Sequence, residues 1–95
     1  PQDLKVIKLN TADGLTLTAW YKPAEDGKPT FIYFHGNGGN IAMREPAAEL
    51  FTRRGFGILL VEYRGYGGNP GTPTELGLYQ DADAAYAFLR DLLII

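Results

Sequence analysis

Two continuous apolar runs, each followed by a glycine-rich segment, constrain the fold of this chain more than any other feature. Residues 30–35 and 56–62 lack the alternation of a half-exposed strand, which is typical of strands covered on both faces of a parallel sheet. A helix is predicted between them over residues 41–54, with Gly55 as its left-handed C-cap. Such a β-α-β crossover is right-handed, so the two strands are expected to run parallel.

Shorter elements flank this unit. Residues 4–10 and 15–21 alternate between apolar and polar side chains, and the Asp13-Gly14 pair between them is a tight-turn signal, so they predict a β-hairpin. Thr72 as N-cap, Pro73 at the first helical position and Glu75 predict a capping box and a helix that continues to Leu93. The order β-β-β-α-β-α predicts an α/β fold with a mostly parallel sheet.

Composition excludes several classes of protein. The 95 residues suffice for one domain, residues 1–95. The net charge of -2, with Lys and Arg spread along the chain, excludes the basic surface of a nucleic-acid-binding protein. No apolar run approaches the ~20 residues of a membrane span, and no signal peptide is visible. The sequence suggests no metal or cofactor, and a cytoplasmic location is only the default. Because the chain begins with Pro1, we expect it to be a processed or excised piece.

The segment FIYFHGNGGN, residues 31–40, predicts an anion site, because a strand, a glycine-rich turn and a helix leave backbone N–H groups unpaired. A P-loop would need Gly-Lys-Ser/Thr, which the sequence from Gly38 to Ile41 does not contain. A dinucleotide-binding loop would need a third glycine, where Ile41 stands. A third use, an oxyanion loop that receives charge developing during acyl transfer, fits better.

The residues of this loop resemble those of a known enzyme family. His35-Gly36-Asn37-Gly38-Gly39 after an apolar strand resembles the oxyanion loop that follows the third strand of the α/β-hydrolases. The segment EYRGYG, residues 62–67, is similar to the D-x-R-G-x-G loop after their fourth strand. Glu62 stands where Asp is usual, and Gly68-Asn69 where Arg-Ser is common. The resemblance covers about residues 4–93, and is nearest to the serine esterase, lysophospholipase and peptidase-like branch.

This resemblance implies an incomplete α/β-hydrolase fold, with strand order 1-2-4-3 and one partial domain that corresponds to the N-terminal third of these enzymes. It also implies that the backbone N–H of Asn37, or as second choice that of Gly38, donates to the oxyanion. The residues implied to support the loop are His35, Gly36, Gly39 and Arg64.

Several of these residues also have simpler structural interpretations. His35 is expected to hold the loop rather than to catalyse. Arg64 either pairs with Glu62 or another carboxylate and braces its loop, or it contacts the substrate. Asp81 and Asp83 are expected on the solvated face of the last helix.

Tyr63 and Tyr66 either wall a substrate pocket or cover an edge of the core. Trp20 is expected to pack on the hairpin. Asn37 and Asn40 could equally cap a helix or adopt left-handed conformations.

The catalytic residues of the family are missing from this sequence. It contains no serine and no cysteine, and His35 is its only histidine. In the family the nucleophile lies in G-x-S-x-G after a fifth strand, which this chain does not reach. We therefore expect a fragment of a hydrolase for a small-molecule ester, thioester or amide, inactive by itself. The alternative is a non-catalytic oligomeric or anion-binding module that retains only the glycine loop.

Truncation after the fourth strand would also leave an edge exposed. In the strand order 1-2-4-3 the strand over residues 30–35 ends the sheet, and an apolar edge can pair with another chain. We therefore expect a homodimer or larger assembly, formed through this strand or by exchange of the last helix.

Overall fold

The computed structural model describes residues 4–35, 52–66 and 68–93 of the chain. Each of the four predicted strands is confirmed, with its ends within one residue of the prediction. The described elements are β1 (Lys5–Asn10), β2 (Thr16–Lys22), β3 (Thr30–His35), β4 (Gly57–Glu62) and α1 (Glu75–Leu93).

The four strands form one sheet in the order β1-β2-β4-β3, as predicted. β3 and β4 are parallel, as the predicted crossover requires. The sheet is mixed rather than mostly parallel, because β2 is antiparallel to β1 and also to β4. The hairpin supplies half of the strands, and a hairpin is antiparallel by construction.

The core lies on both sides of β4, all six residues of which are buried. On one face, α1 packs over Leu59 and Val61 through Ala85. The ring of Phe88 on α1 meets Tyr21 edge-on, with centroids 5.2 Å apart. On the other face, Ile58 and Leu60 pack against Trp20 and Tyr33, which confirms the predicted packing role of Trp20. Burial on two faces explains why residues 58–61 of β4 are all apolar.

The hairpin turn is organised by Thr11. Its hydroxyl accepts a hydrogen bond from the backbone N–H of Leu15 at 2.9 Å and donates one to Asp13 Oδ1 at 2.6 Å. Gly14 has a φ of 94°, a left-handed conformation that favours glycine. The predicted Asp13-Gly14 turn is therefore confirmed, and it holds the Asp13 carboxylate in a defined position.

The start of α1 differs from the prediction. The N–H of Gly77 donates to Thr74 Oγ1 at 3.0 Å, and that of Leu78 to the Thr74 carbonyl at 2.9 Å. Thr74 is therefore the N-cap, and the capping box assigned to Thr72 is wrong by two residues. Two threonines on either side of Pro73 offer the same hydroxyl, so local sequence does not choose between them.

Replacing each threonine in turn tests this assignment. Thr74→Ala is expected to lower the free energy of unfolding by about 1 kcal/mol, because the Gly77 N–H loses its acceptor. Thr72→Ala, at an exposed position, is the matched control and should change it by less than about 0.5 kcal/mol. Urea denaturation of the natural gene product measures both, and equal losses would contradict the assignment.

The helix predicted over residues 41–54 lies almost wholly outside the described residues. Its proposed C-cap, Gly55, has a φ of 82°. The Gly55 N–H donates to the Thr52 carbonyl at 3.1 Å. The predicted assembly through β3 remains a prediction, and within the described sheet β3 does form one edge.

Candidate functional site

The carboxyl ends of β3 and β4 meet at one edge of the sheet. The two strands pair in parallel from Thr30↔Gly57 to His35↔Glu62, so both strands end at the same level of the sheet. The predicted oxyanion residues follow His35 directly in the sequence. They lie outside the described residues, as does the His35 side chain, so the roles of Gly36, Asn37, Gly38 and Gly39 remain predictions.

The segment after β4, residues 63–71, is called the β4 loop below, and the structure describes it except for residue 67. Its backbone is bonded to itself: the N–H of Gly65 donates to the Pro70 carbonyl at 2.9 Å, and that of Asn69 to the Tyr66 carbonyl at 2.9 Å. Gly65 has a φ of 80°, and a Cβ there would lie 2.7 Å from Pro73 Cδ. The loop is compact, and the close approach requires glycine at its turn.

Arg64 fixes the beginning of the β4 loop. Its side chain is 7% exposed and contacts two carboxylates. Nη1 and Nη2 donate to the two oxygens of Asp13 at 2.7 and 3.0 Å. Nε and Nη2 donate to Asp81 Oδ1 at 3.0 and 2.8 Å, and the Arg64 backbone N–H donates to Asp81 Oδ2 at 2.9 Å. These three residues, the Arg64 cluster, join the hairpin turn, the β4 loop and α1.

The predicted solvated position of Asp81 is wrong, since this residue is 0% exposed. Asp83, two residues further along α1, is exposed as predicted. Asp81 follows Leu78 by three residues and precedes Ala85 by four, so it lies on the apolar face of the helix. That spacing, together with the presence of an arginine elsewhere in the chain, was the signal in the sequence that could have indicated a buried, paired Asp81. The contacts of Arg64 match the interpretation that it braces its loop.

The charges of the Arg64 cluster stabilise one another. Hydrogen bonds from Arg64, and then from Thr11, hold the pKa of the Asp13 carboxyl well below its usual range. Hydrogen bonds to Asp13, and then to Asp81, raise the pKa of the Arg64 guanidinium above its usual range. A bidentate guanidinium–carboxylate pair is the geometry in which such bonds are strongest. Both carboxylates therefore serve as hydrogen-bond acceptors for the Arg64 guanidinium.

The lowered pKa of Asp13 predicts a pH-dependent contribution to stability. Its usual value is 3.8, and folding lowers it, so the contribution is complete well above that pH and is lost as the pH falls. Asp13→Asn should therefore lower the free energy of unfolding at about pH 7, and the deficit should shrink towards about pH 2. Denaturation of the natural gene product at several pH values measures this. Asp83→Asn is the control, and a deficit for Asp13→Asn that is constant with pH would contradict the prediction.

Asn69 fixes the end of the β4 loop. The residue is 9% exposed. Its Nδ2 donates to the Glu62 carbonyl at 2.8 Å, and its Oδ1 accepts from the Thr18 N–H at 2.9 Å. The direct pairing of β2 with β4 ends at Ala19↔Val61. The Asn69 amide therefore bridges the next positions of the two strands. In the sequence this residue stood out only as a departure from the family pattern.

Tyr63 ties the β4 loop to β3. Its ring stacks on that of Phe34, with centroids 5.2 Å apart and planes 9° from parallel. Burial, and secondarily the negative charge of Asp81, raise the pKa of the Tyr63 phenol. The ring therefore remains neutral and covers an edge of the core, which is one of the two interpretations that the sequence allowed.

Other features of the described residues lie away from this edge. A groove of about 550 Å³ lies between α1 and the amino end of β3, at the opposite end of that strand from His35. Within residues 4–35, 52–66 and 68–93, no group of three His, Cys, Asp or Glu side chains could hold a metal ion. No helix in the same part of the chain is sufficiently long and apolar to cross a membrane.

Known proteins resemble this chain over most of its length. An uncharacterised protein of Mycobacterium tuberculosis is 42% identical over 85 residues, which are 87% of this chain and 30% of that protein. The alpha/beta hydrolase domain-containing protein WAV2 of Arabidopsis thaliana is 37% identical over 82 residues, which are 83% of this chain and 27% of that protein. The chain thus spans about a third of the length of the curated relatives it matches. No protein-family model matches it.

A solved structure shares the fold. The esterase Pf2001 of Pyrococcus furiosus superposes with a TM-score of 0.75 at 20% identity, over 93% of this chain and 34% of the esterase. The sheet order β1-β2-β4-β3 agrees with the order that the sequence resemblance implied. The chain therefore has part of the α/β-hydrolase fold, and it matches about a third of the length of the esterase that shares this fold.

Proposed function

We propose that this chain supplies the oxyanion loop of a serine hydrolase that acts on an ester, thioester or amide. The observation that carries the proposal is the parallel His35↔Glu62 register. His35 and Glu62 therefore lie side by side at the carboxyl edge of the sheet, where open α/β sheets bind their ligands. In the sequence the glycine loop, residues 36–39, follows the first of them and the β4 loop follows the second.

The chemical role follows from the residues of the glycine loop. Attack on a carbonyl places negative charge on its oxygen, and preorganised backbone N–H donors stabilise that charge. The N–H of Asn37 is the first candidate donor and that of Gly38 the second. His35, Gly36 and Gly39 would support the loop, since glycine permits close approach of the backbone to a substrate.

The nucleophile, acid and base would belong to other segments of a longer polypeptide. The 95 residues contain neither serine nor cysteine. The relatives are about three times as long as the matched region. Among proteins of similar fold is one described as an esterase, Pf2001. These facts support a division of the catalytic residues, with the oxyanion donor in this chain.

A second candidate is a non-catalytic module that binds an anion or assembles through its sheet. It is favoured by the absence of a serine or cysteine nucleophile and by the position of β3 at one edge of the described sheet.

Labelling with a fluorophosphonate, which reacts with activated serines, tests the first proposal. The intact natural gene product is expected to have a mass well above 10.5 kDa and to take up one label at a serine outside these 95 residues. It should hydrolyse p-nitrophenyl acetate, whereas the 95-residue chain alone should not exceed the buffer rate, because it lacks a nucleophile. A natural product that ends near Ile95, or one that is neither labelled nor active, would favour the non-catalytic module.

A further inference from the structure

We propose that the β4 loop is a fixed wall of the substrate site, held by the Arg64 cluster and Asn69, and that it does not close over the substrate as a lid. Arg64, Asp81 and Asn69 are then positioning residues. The inference deepens the proposed function and rests on it, because it concerns the site where that hydrolysis would occur.

The first argument is that the donors of Arg64 are directed into the protein. Nε, Nη1 and Nη2 all donate to Asp13 or Asp81, and the backbone N–H donates to Asp81 as well. Only 6% of the surface of Arg64 is exposed, so this residue presents almost no surface to a ligand. A buried arginine that loses one carboxylate partner is left with uncompensated charge. Displacement of the loop from Asp81 is therefore strongly disfavoured.

The second argument is that the far end of the β4 loop is anchored independently. The Asn69 amide bonds to Thr18 of β2 and to Glu62 of β4, so it is held by two strands of the sheet. Between the anchors, Gly65 and Asn69 donate to carbonyls of the loop itself. A hinge would have to disrupt one anchor and expose buried polar groups, which is costly.

The consequence is a surface whose shape is set before a substrate arrives. Lids belong to the least stable parts of a fold and contain many exposed backbone hydrogen bonds. The β4 loop instead has a buried residue near each end, Arg64 and Asn69. Substrates would then be selected by how well they fit the fixed surface of the β4 loop. Displacement of this loop would weaken the binding and orientation of the substrate without removing the oxyanion donor.

Amide hydrogen exchange in the natural gene product tests this inference. The amides of Gly65 and Asn69 should be protected in the wild type, and reaction with a fluorophosphonate should change their exchange less than about threefold. Asp81→Asn should accelerate their exchange at least about tenfold, and the amides of Leu59 and Leu60 in β4 report the part of this change that comes from lower global stability. Asp83→Asn, an exposed neighbour on the same helix, is the matched control and should change neither set.

Kinetics provide a second readout. Asp81→Asn and Asn69→Ala should raise the KM for p-nitrophenyl butyrate about tenfold with a smaller change in kcat, as expected for a displaced binding surface. A purely structural role would instead reduce the folded fraction and leave the KM of the remaining enzyme unaltered. If Asp81→Asn does not fold, Asp13→Asn serves in its place, since the Asp13 carboxylate is about one third exposed.

Two results would overturn the inference: unprotected loop amides in the wild type, or protection that appears only after the phosphonate has reacted, as a lid requires. Equal exchange in Asp81→Asn and wild type would overturn the role of the cluster. A wild type that hydrolyses nothing would refute the proposed function instead, and the exchange data would still decide whether the loop is fixed.

Discussion

Replacing Asn37 with proline is expected to lower the kcat of the natural gene product by about 10²- to 10³-fold, with little change in KM. Proline has no backbone N–H, so the substitution removes the proposed donor together with the Asn37 side chain, and it fixes φ at this position. The donor acts mainly in the transition state, which is why kcat rather than KM should fall. Steady-state hydrolysis of p-nitrophenyl acetate measures both constants.

Matched variants identify the donor. Asn37→Ala keeps the backbone N–H and removes only the amide side chain, so its kcat should remain within about threefold of wild type. Gly38→Pro tests the second candidate by the same logic. If Asn37→Pro retains full activity and Gly38→Pro does not, the donor is Gly38. If both retain full activity, the oxyanion role of this loop is refuted.

Replacing Asp81 with alanine is expected to lower the free energy of unfolding by about 3–5 kcal/mol, the largest change in stability that we predict. The substitution removes three hydrogen bonds to Arg64 and leaves that guanidinium buried beside a single, partly exposed carboxylate. The stability is lost because the buried Arg64 charge is left without its Asp81 partner, and the loss is larger than the contribution of an exposed ion pair. Urea denaturation of the natural gene product measures it.

The neighbouring acid provides the control for this change. Asp83→Ala removes the same charge from the same helix at an exposed position, and it should alter the free energy of unfolding by less than about 0.5 kcal/mol. Restoring neutrality by the double change Arg64→Met with Asp81→Leu should recover much of the loss, because apolar replacements of a buried pair are often tolerated. Equal losses for Asp81→Ala and Asp83→Ala would contradict the account.

The strands of this protein could be predicted because their signals are local. The alternation around Asp13-Gly14 predicted the hairpin, and the apolar run of β4 predicted a strand with both faces buried. The strand order was available through the family resemblance, not from the residues alone. The misplaced N-cap had a local cause as well, because Thr72 and Thr74 differ only in which hydroxyl meets Gly77.

The Arg64 cluster could not be predicted in the same way. The sequence pattern indicated a turn residue at Asp13 and a solvated residue at Asp81. Neither pattern indicated a contact with Arg64, because both acids lie far from Arg64 in the sequence. Only the fold brings the hairpin turn, the β4 loop and α1 together. The role of Asn69 could not be predicted for the same reason, because its amide bridges β2 and β4, which are brought together only by the fold.

The bonds that lock the hairpin to the rest of the protein have a consequence for folding kinetics. The contacts of Arg64 with Asp13 and of Asn69 with Thr18 each span 51 residues. The hairpin therefore leaves the ribosome well before its partners do, and we expect these bonds to form after the strands have docked. Contacts that form after the transition state govern the unfolding rate, so losing them would shorten the lifetime of the native state and leave the folding rate almost unchanged.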